Sequence, residues 1–182
     1  AVVDPAFDGD KITKFIEEKG LKPVAVLLTH GHFDHCGGAK PIVEKYGVPV
    51  YGSEKDAALA ASASKNLWGV FCHDCKITDY VDGIDSFSVG GFSFGVMKTP
   101  GHTPGGVCYF IDDIMFSGDT LFKECIGRID LPGGDYREMM DSLSKIALID
   151  KNYKVYAGHE EDTDLFHEFR FNPYLSAFKR SK

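Results

Sequence analysis

The sequence predicts an α/β protein of two sheets with helices outside both, and three features of the 182-residue chain carry that expectation. Short apolar runs alternate with helical periodicity through the first half. From Ser86 the pattern changes to paired short strands separated by Gly90-Gly91 and Asp112-Asp113. Helical and strand segments then alternate again toward the end. With 43% hydrophobic and 26% charged residues the chain can bury one sizeable core, so a single domain over residues 1–182 is expected.

Taken in order, Val2-Val3 reads as a strand, turning at Asp4-Pro5. Ile12, Phe15, Ile16 and Lys19 keep helical spacing, with Gly20 as the stop. Val24 to Leu28 is continuously apolar, as in a strand buried on both faces. Ala39, Ile42, Val43 and Tyr46 form the next helical face, closed by Gly47, and Val48 to Tyr51 make another strand. This half reads as β-α-β-α-β with parallel neighbours. Residues 53–67, rich in alanine, lysine and serine, are expected to be helical, and 68–83 give no clear assignment. Strands follow at Phe87–Val89, Phe92–Lys98, Val107–Ile111 and Ile114–Phe116, mostly antiparallel, with Phe87, Phe92, Phe94 and Phe110 read as core. A helix over 136–148, a strand at Val155-Tyr156 and a closing helix over 164–171 complete the pattern. The chain opens inside a strand and without an initiator Met, which reads as a fragment or a processed product.

A net charge of -7 argues against non-specific nucleic-acid binding or a polybasic membrane contact. No apolar run reaches membrane-spanning length and nothing resembles a signal peptide. Five irregularly spaced cysteines do not suggest a disulfide framework, so a reducing cytoplasm is the expected setting.

Residues 29–36, Thr-His-Gly-His-Phe-Asp-His-Cys, concentrate three of the chain's seven histidines at the end of a strand. His30 and His32 alternate and can face one way, while Asp34 and His35 follow as the chain bends into a helix. Imidazole and carboxylate together suit zinc, iron or manganese better than calcium or magnesium. The stretch could serve two ions with two ligands each, so further ligands are needed. His102, Asp119 and His159 each follow a strand end beside glycine, where backbone approaches a packed site. This assembles His30, His32 and His102 for one ion, and Asp34, His35 and His159 for another, with Asp119 bridging. Cys72-His73-Asp74-Cys75 has zinc-knuckle spacing but no second pair to close a tetrahedron, so a metal-free loop is favoured. Cys36 is read as buried packing, His167 as solvated, and Tyr153 and Tyr156 as core or surface.

The run His30-Gly-His32-Phe-Asp34-His35, with Gly-His102-Thr-Pro-Gly, Ser-Gly-Asp119-Thr and Gly-His159, resembles the metallo-β-lactamase superfamily over nearly the whole chain. The resemblance implies a four-layer αββα sandwich, here without the strand pair that usually precedes Val2-Val3. The segment Gly118 to Asp135 and the ending Phe171-Asn172-Pro173-Tyr174-Leu175 are similar to small, single-domain glyoxalase II-like hydrolases. Glu160-Glu161-Asp162 depart from that branch, which commonly has glycine and proline there. The short stretch after His159 leaves no room for the helical domain that binds glutathione in the full-length enzymes, and no nucleic-acid-binding insertion is present.

What the resemblance implies is metal-assisted hydrolysis of a small thioester or related acyl ester. It would use a hydroxide shared by two divalent ions, zinc foremost, with iron or manganese as alternatives. Asp34 and Asp119 act through that hydroxide. Lys123 and Arg128, in the loop after Asp119, are candidates to anchor a substrate carboxylate, although Asp130 offers Arg128 a structural pair. Two other readings compete: a mononuclear-iron persulfide dioxygenase, and a non-catalytic binding module of the same fold.

Overall fold

The computed structural model describes residues 1–66 and 68–179, which form two compact units. Of the described residues, those of 1–84 and 88–92 make the first, and those of 85–87 and 93–179 the second.

In the first unit four short strands, β1 (Val2–Val3), β2 (Val26–Leu27), β3 (Val50–Gly52) and β4 (Asp79–Tyr80), pair in parallel in the order β1-β2-β3-β4. The crossovers carry α1 (Gly9–Glu18), the single turn α2 (Phe33–Cys36) and α3 (Ala39–Tyr46). The Asp8 side chain accepts the Lys11 N–H to start α1, and Gly47, at φ 64°, ends α3 in the left-handed conformation. Val26, Leu28, Ile42, Val50, Ala60 and Ile77 are buried together, which explains why the Val24–Leu28 run carries no polar residue. Parallel pairing puts the carboxyl ends of β1 and β2 side by side, where open α/β sheets place their ligands.

Residues 53–67 do not form the expected single helix. They break into a 3-10 turn at Glu54–Asp56, the short α4 (Ala57–Ala60) and a second 3-10 turn at Ala63–Lys65; Leu67 lies outside the described residues. The chain is diverted because Asp74, from the following loop, accepts the Ser64 N–H at 2.8 Å, and Asn66 turns back to the Ala63 carbonyl at 3.1 Å.

The second sheet contains β5 (Ser86–Val89), β6 (Phe92–Lys98), β7 (Val107–Ile111), β8 (Ile114–Gly118), β9 (Lys154–Ala157) and β10 (Thr163–Asp164) in the order β10-β9-β8-β7-β6-β5. The pairs β6-β7, β7-β8 and β9-β10 are antiparallel, and β8-β9 is parallel. The crossover between β8 and β9 is α5 (Tyr136–Ile146), whose N-terminus is capped by Asp135. Met139, Leu143 and Ile146 of α5 are buried with Met115, Leu121, Val155, Leu165 and Leu175. Phe94 is buried as read, but Phe92 is 48% exposed, because it opens its strand at the hairpin tip.

α6 (Leu165–Phe171) is followed by an unexpected α7 (Pro173–Lys179). Between them sits a buried polar knot. Glu168, fully buried, accepts from Thr163 Oγ1 (2.6 Å), the Glu124 backbone N–H (2.8 Å) and Asn172 Nδ2 (2.9 Å). Asn172 in turn donates to the Cys125 carbonyl. The terminal helices thereby fix the loop that follows Asp119. Removing the carboxylate strands three donors, so Glu168→Ala is expected to cost roughly 3 kcal/mol, or about 10 °C in a thermal melt. An unchanged melting temperature would show the knot to be dispensable.

Candidate metal centre

Within the first unit the site residues sit on the carboxyl ends of β1 and β2. Val3 pairs Leu27, and the Asp4 N–H donates to the Leu27 carbonyl at 2.9 Å, which brings Asp4 beside Thr29. Both Asp4 oxygens are used: Oδ1 accepts the Thr29 N–H (2.8 Å), and Oδ2 accepts the Thr29 hydroxyl (2.6 Å) and faces His35 Nδ1 at 2.9 Å. A carboxylate can only accept here, so the His35 proton lies on Nδ1 and Nε2 presents a lone pair. Thr29 has one hydroxyl proton and gives it to Asp4. Its oxygen can therefore only accept from His30 Nδ1, 3.1 Å away, and His30 likewise presents Nε2.

Between His30 and His32, the Gly31 N–H donates to Asp56 Oδ2 at 2.9 Å, and Asp56 is itself buried. His30 lies with its ring centroid 4.8 Å from that of His32 and 3.9 Å from that of His35. Set so closely, three imidazoles would repel if all were protonated, which favours neutral rings around a cation. Asp34 is half-buried in α2 beside His35. Asp4, Thr29 and Asp56 were not singled out in the sequence. For Asp4 and Asp56, isolated acids about twenty-five residues from the cluster, no local signal marks them.

In the second unit His102, Asp119 and His159 converge. The β8–β9 register shifts between Phe116 and Gly118, and Gly118 (φ 50°) turns the chain so that Asp119 leaves the strand end. The Gly158 N–H donates to the Gly118 carbonyl at 2.9 Å, setting His159 beside it at the end of the neighbouring strand. His102 Nε2 is 3.3 Å, and His159 Nε2 3.6 Å, from the same oxygen, Asp119 Oδ2. The His102 Nδ1 donates to the Arg128 carbonyl at 2.6 Å, which leaves a lone pair on Nε2 facing the carboxylate. Two lone pairs so close are stable only with a cation or a proton between them. His102 and Asp119 are buried, whereas the His159 side chain is about half exposed.

The donor set fits divalent metal. Nitrogen lone pairs and carboxylate oxygens are the ligands that zinc, iron and manganese share. The Nδ1 atoms of His30, His35 and His102 are held by a hydroxyl, a carboxylate and a carbonyl, partners typical of metal-bound imidazoles.

Other candidates are placed differently. Arg128 forms a two-bond pair with Asp130, both at 2.7 Å, and this holds the Asp130 carboxyl down at about 2. Lys123 pairs with Glu161, in the segment that departs from the family pattern. His167 is not merely solvated: its Nε2 lies 2.9 Å from Glu124 Oε1. Cys36, Cys72 and Cys75 are buried, and no potential metal-holding group among the described residues includes a cysteine. Cys72 donates to the Ala63 carbonyl, and a hydrogen bond with the Cys75 thiol, together with burial, pushes the Cys36 thiol well above its usual range. Burial pushes Cys108 up to about 11.

Residues 1–159 match the model of the metallo-β-lactamase superfamily, and the chain belongs to that superfamily. It is 37% identical over 184 residues to the probable metallo-hydrolase YqgX of Bacillus subtilis (strain 168), covering 97% of this chain and 87% of that one. It is 34% identical over 185 residues to hydroxyacylglutathione hydrolase GloC of Haemophilus influenzae, again covering 97% and 87%. Among solved structures, the BLEG-1 B3 metallo-β-lactamase superposes with a TM-score of 0.88 at 33% identity, covering 95% and 87% of the two chains. TTHA1623 in a di-iron-bound form does so with 0.86 at 35%, covering 94% and 87%. ETHE1 from Myxococcus xanthus gives 0.74 at 29%, covering 96% and 72%. The fold is thus the metallo-β-lactamase fold. Among the described residues no helix is long and apolar enough to cross a membrane.

Proposed function

We propose that the protein hydrolyses thioesters or related acyl esters at a centre of two divalent ions. His30, His32 and His102 would hold one ion, Asp34, His35 and His159 the other, and Asp119 would serve both. The observation that carries this reading is the fixed state of the imidazoles. Partners at Nδ1 leave Nε2 of His30, His35 and His102 as the nitrogens that would meet a metal ion. When bound, such ions would supply Lewis acidity and lower the pKa of a coordinated water to about 7.

The chain's own residues do the rest. Asp4 and Thr29 hold the rings of His35 and His30 in one tautomer. Asp119 supplies a carboxylate on which His102 and His159 converge. Lys123 and Arg128 stand in the loop after Asp119, though both are engaged by acids, so a substrate carboxylate would have to compete for them. The relative named hydroxyacylglutathione hydrolase supports the thioester as substrate class. The neighbour in a di-iron form supports two ions and leaves iron beside zinc as a candidate.

A panel of acyl thioesters offered to the purified protein is expected to be hydrolysed, with activity abolished by chelation and restored by zinc, iron or manganese. The likeness to ETHE1 favours one second reading, a mononuclear-iron persulfide dioxygenase. Oxygen uptake with a persulfide, and no hydrolysis of any thioester, would select it.

A further inference from the structure

Within the second unit, an ion pair that the metal chemistry does not use stands against one of the candidate ligands. Phe122 and Cys125 exchange backbone hydrogen bonds (3.0 and 3.3 Å), which closes a turn with Lys123 and Glu124 at its tip. The turn is held from behind by Glu168, which accepts the Glu124 N–H, and by Asn172, which donates to the Cys125 carbonyl. From this fixed tip Lys123 Nζ donates to the Glu161 carboxylate.

A ring contact puts the pair at the site. The Phe122 ring meets the His159 ring edge-on, centroids 6.0 Å apart and planes at 83°, and His159 Nε2 is 3.6 Å from Asp119 Oδ2. Lys123 follows Phe122 and Glu161 stands two residues after His159, so the ion pair joins the same two backbones whose rings touch.

The charge there is one-sided. Lys123 and Arg128 are the only bases of residues 119–135, and Asp130 takes both bonds of Arg128. Glu124 faces His167, and Glu160, Glu161 and Asp162 follow His159 with no base among them. A substrate carboxylate that comes to His159 along this side therefore meets acids and an ammonium already occupied. Without the Glu161 charge it would meet the ammonium of Lys123, on a turn already fixed in place.

We propose that Glu161 is a specificity-determining residue: it masks Lys123 and so sets the enzyme against acyl thioesters with a carboxylate near the reacting group. The proposal rests on the thioesterase reading and deepens it, since it gives the charge of the preferred substrate. The Lys123 side chain is 39% and that of Glu161 78% exposed, so the mask is partial and acts by a few-fold preference.

The test uses the metal-loaded full chain and three thioesters. S-acetyl-N-acetylcysteamine is uncharged; S-acetyl-3-mercaptopropionate and S-glutaryl-N-acetylcysteamine carry a carboxylate on either side of the sulfur. The readout is kcat/KM for each anionic substrate divided by that for the uncharged one. Glu161→Gln is expected to raise this ratio about three- to fivefold for at least one anion. The gain should shrink in about 1 M salt, where charges are screened within about 3 Å. Adding Lys123→Gln to Glu161→Gln should remove it. A merely structural contact would alter all three substrates alike and would not respond to salt.

The matching non-hydrolysable thioethers, followed by calorimetry, separate the two claims. If no thioester is turned over but an anionic thioether binds several-fold more tightly after Glu161→Gln, the mask stands and the thioesterase reading falls. Hydrolysis with both ratios unchanged by Glu161→Gln overturns the mask and leaves that reading in place. No turnover together with unchanged thioether affinities overturns both.

Discussion

Asp4→Asn is expected to lower the affinity for divalent metal by about 10- to 100-fold, although Asp4 need not touch the ion. The carboxylate accepts from Thr29 twice and faces His35 Nδ1. An asparagine that turns its amide N–H₂ toward His35 would donate where the carboxylate accepted. The His35 proton would then move to Nε2, the atom that is to bind metal. That same turn removes the acceptor of the Thr29 hydroxyl, which is then freed to donate to His30 Nδ1. If the amide turns the other way, it sets a donor against the Thr29 backbone N–H and pushes apart the strand ends that carry the histidines. Metal titration of the stripped variant checks this, and wild-type affinity would show that Asp4 orients nothing.

Gly127→Ala is expected to cost about 100-fold in kcat/KM, because a misplacement on the order of 1 Å in a reacting site carries that effect. A β-carbon at residue 127 would lie 1.8 Å from the Asp119 carbonyl oxygen and 3.1 Å from the Asp119 β-carbon. Backbone cannot yield as a flexible side chain can, so the loop or Asp119 must move. Asp119 Oδ2 is the point on which His102 and His159 converge, and its displacement opens that arrangement. The variant should still melt cooperatively, about 1–3 kcal/mol less stable, yet bind less metal. Full metal content and full activity would contradict the role given to this contact.

Much of this was legible in the chain because local chemistry and tertiary demand agree there. α3 ends at Gly47 as read, β6 and β7 have the expected limits, and β1 to β3 are parallel. The signals were an uninterrupted apolar run, a left-handed stop and hairpin turns. The helix expected over 53–67 failed where long-range partners won: Asp74 and Asn66 take backbone groups that a continuous helix would have needed.

α7 was missed although its signals stood in the sequence. Pro173 reads as a breaker but occupies a first helical position, and the Asn172 side chain accepts the Tyr174 N–H at 3.0 Å. The metal-ligand candidates were legible because histidine is scarce and clustered. Asp4, Thr29 and Asp56 were not, since a second set of partners is defined by which strand ends meet and not by spacing along the chain. His167, read as solvated, finds Glu124 only because α6 folds back on the loop after Asp119.

The central claim is a centre of two ions, and metal content per chain tests it most directly. Elemental analysis of protein purified with neither added metal nor chelator should give about two equivalents of zinc, iron or manganese. Loss of either Asp4 or Asp119 should reduce that figure. A single equivalent of iron, unchanged after incubation with excess divalent metal, would contradict the claim and move the assignment to oxygen consumption with a persulfide.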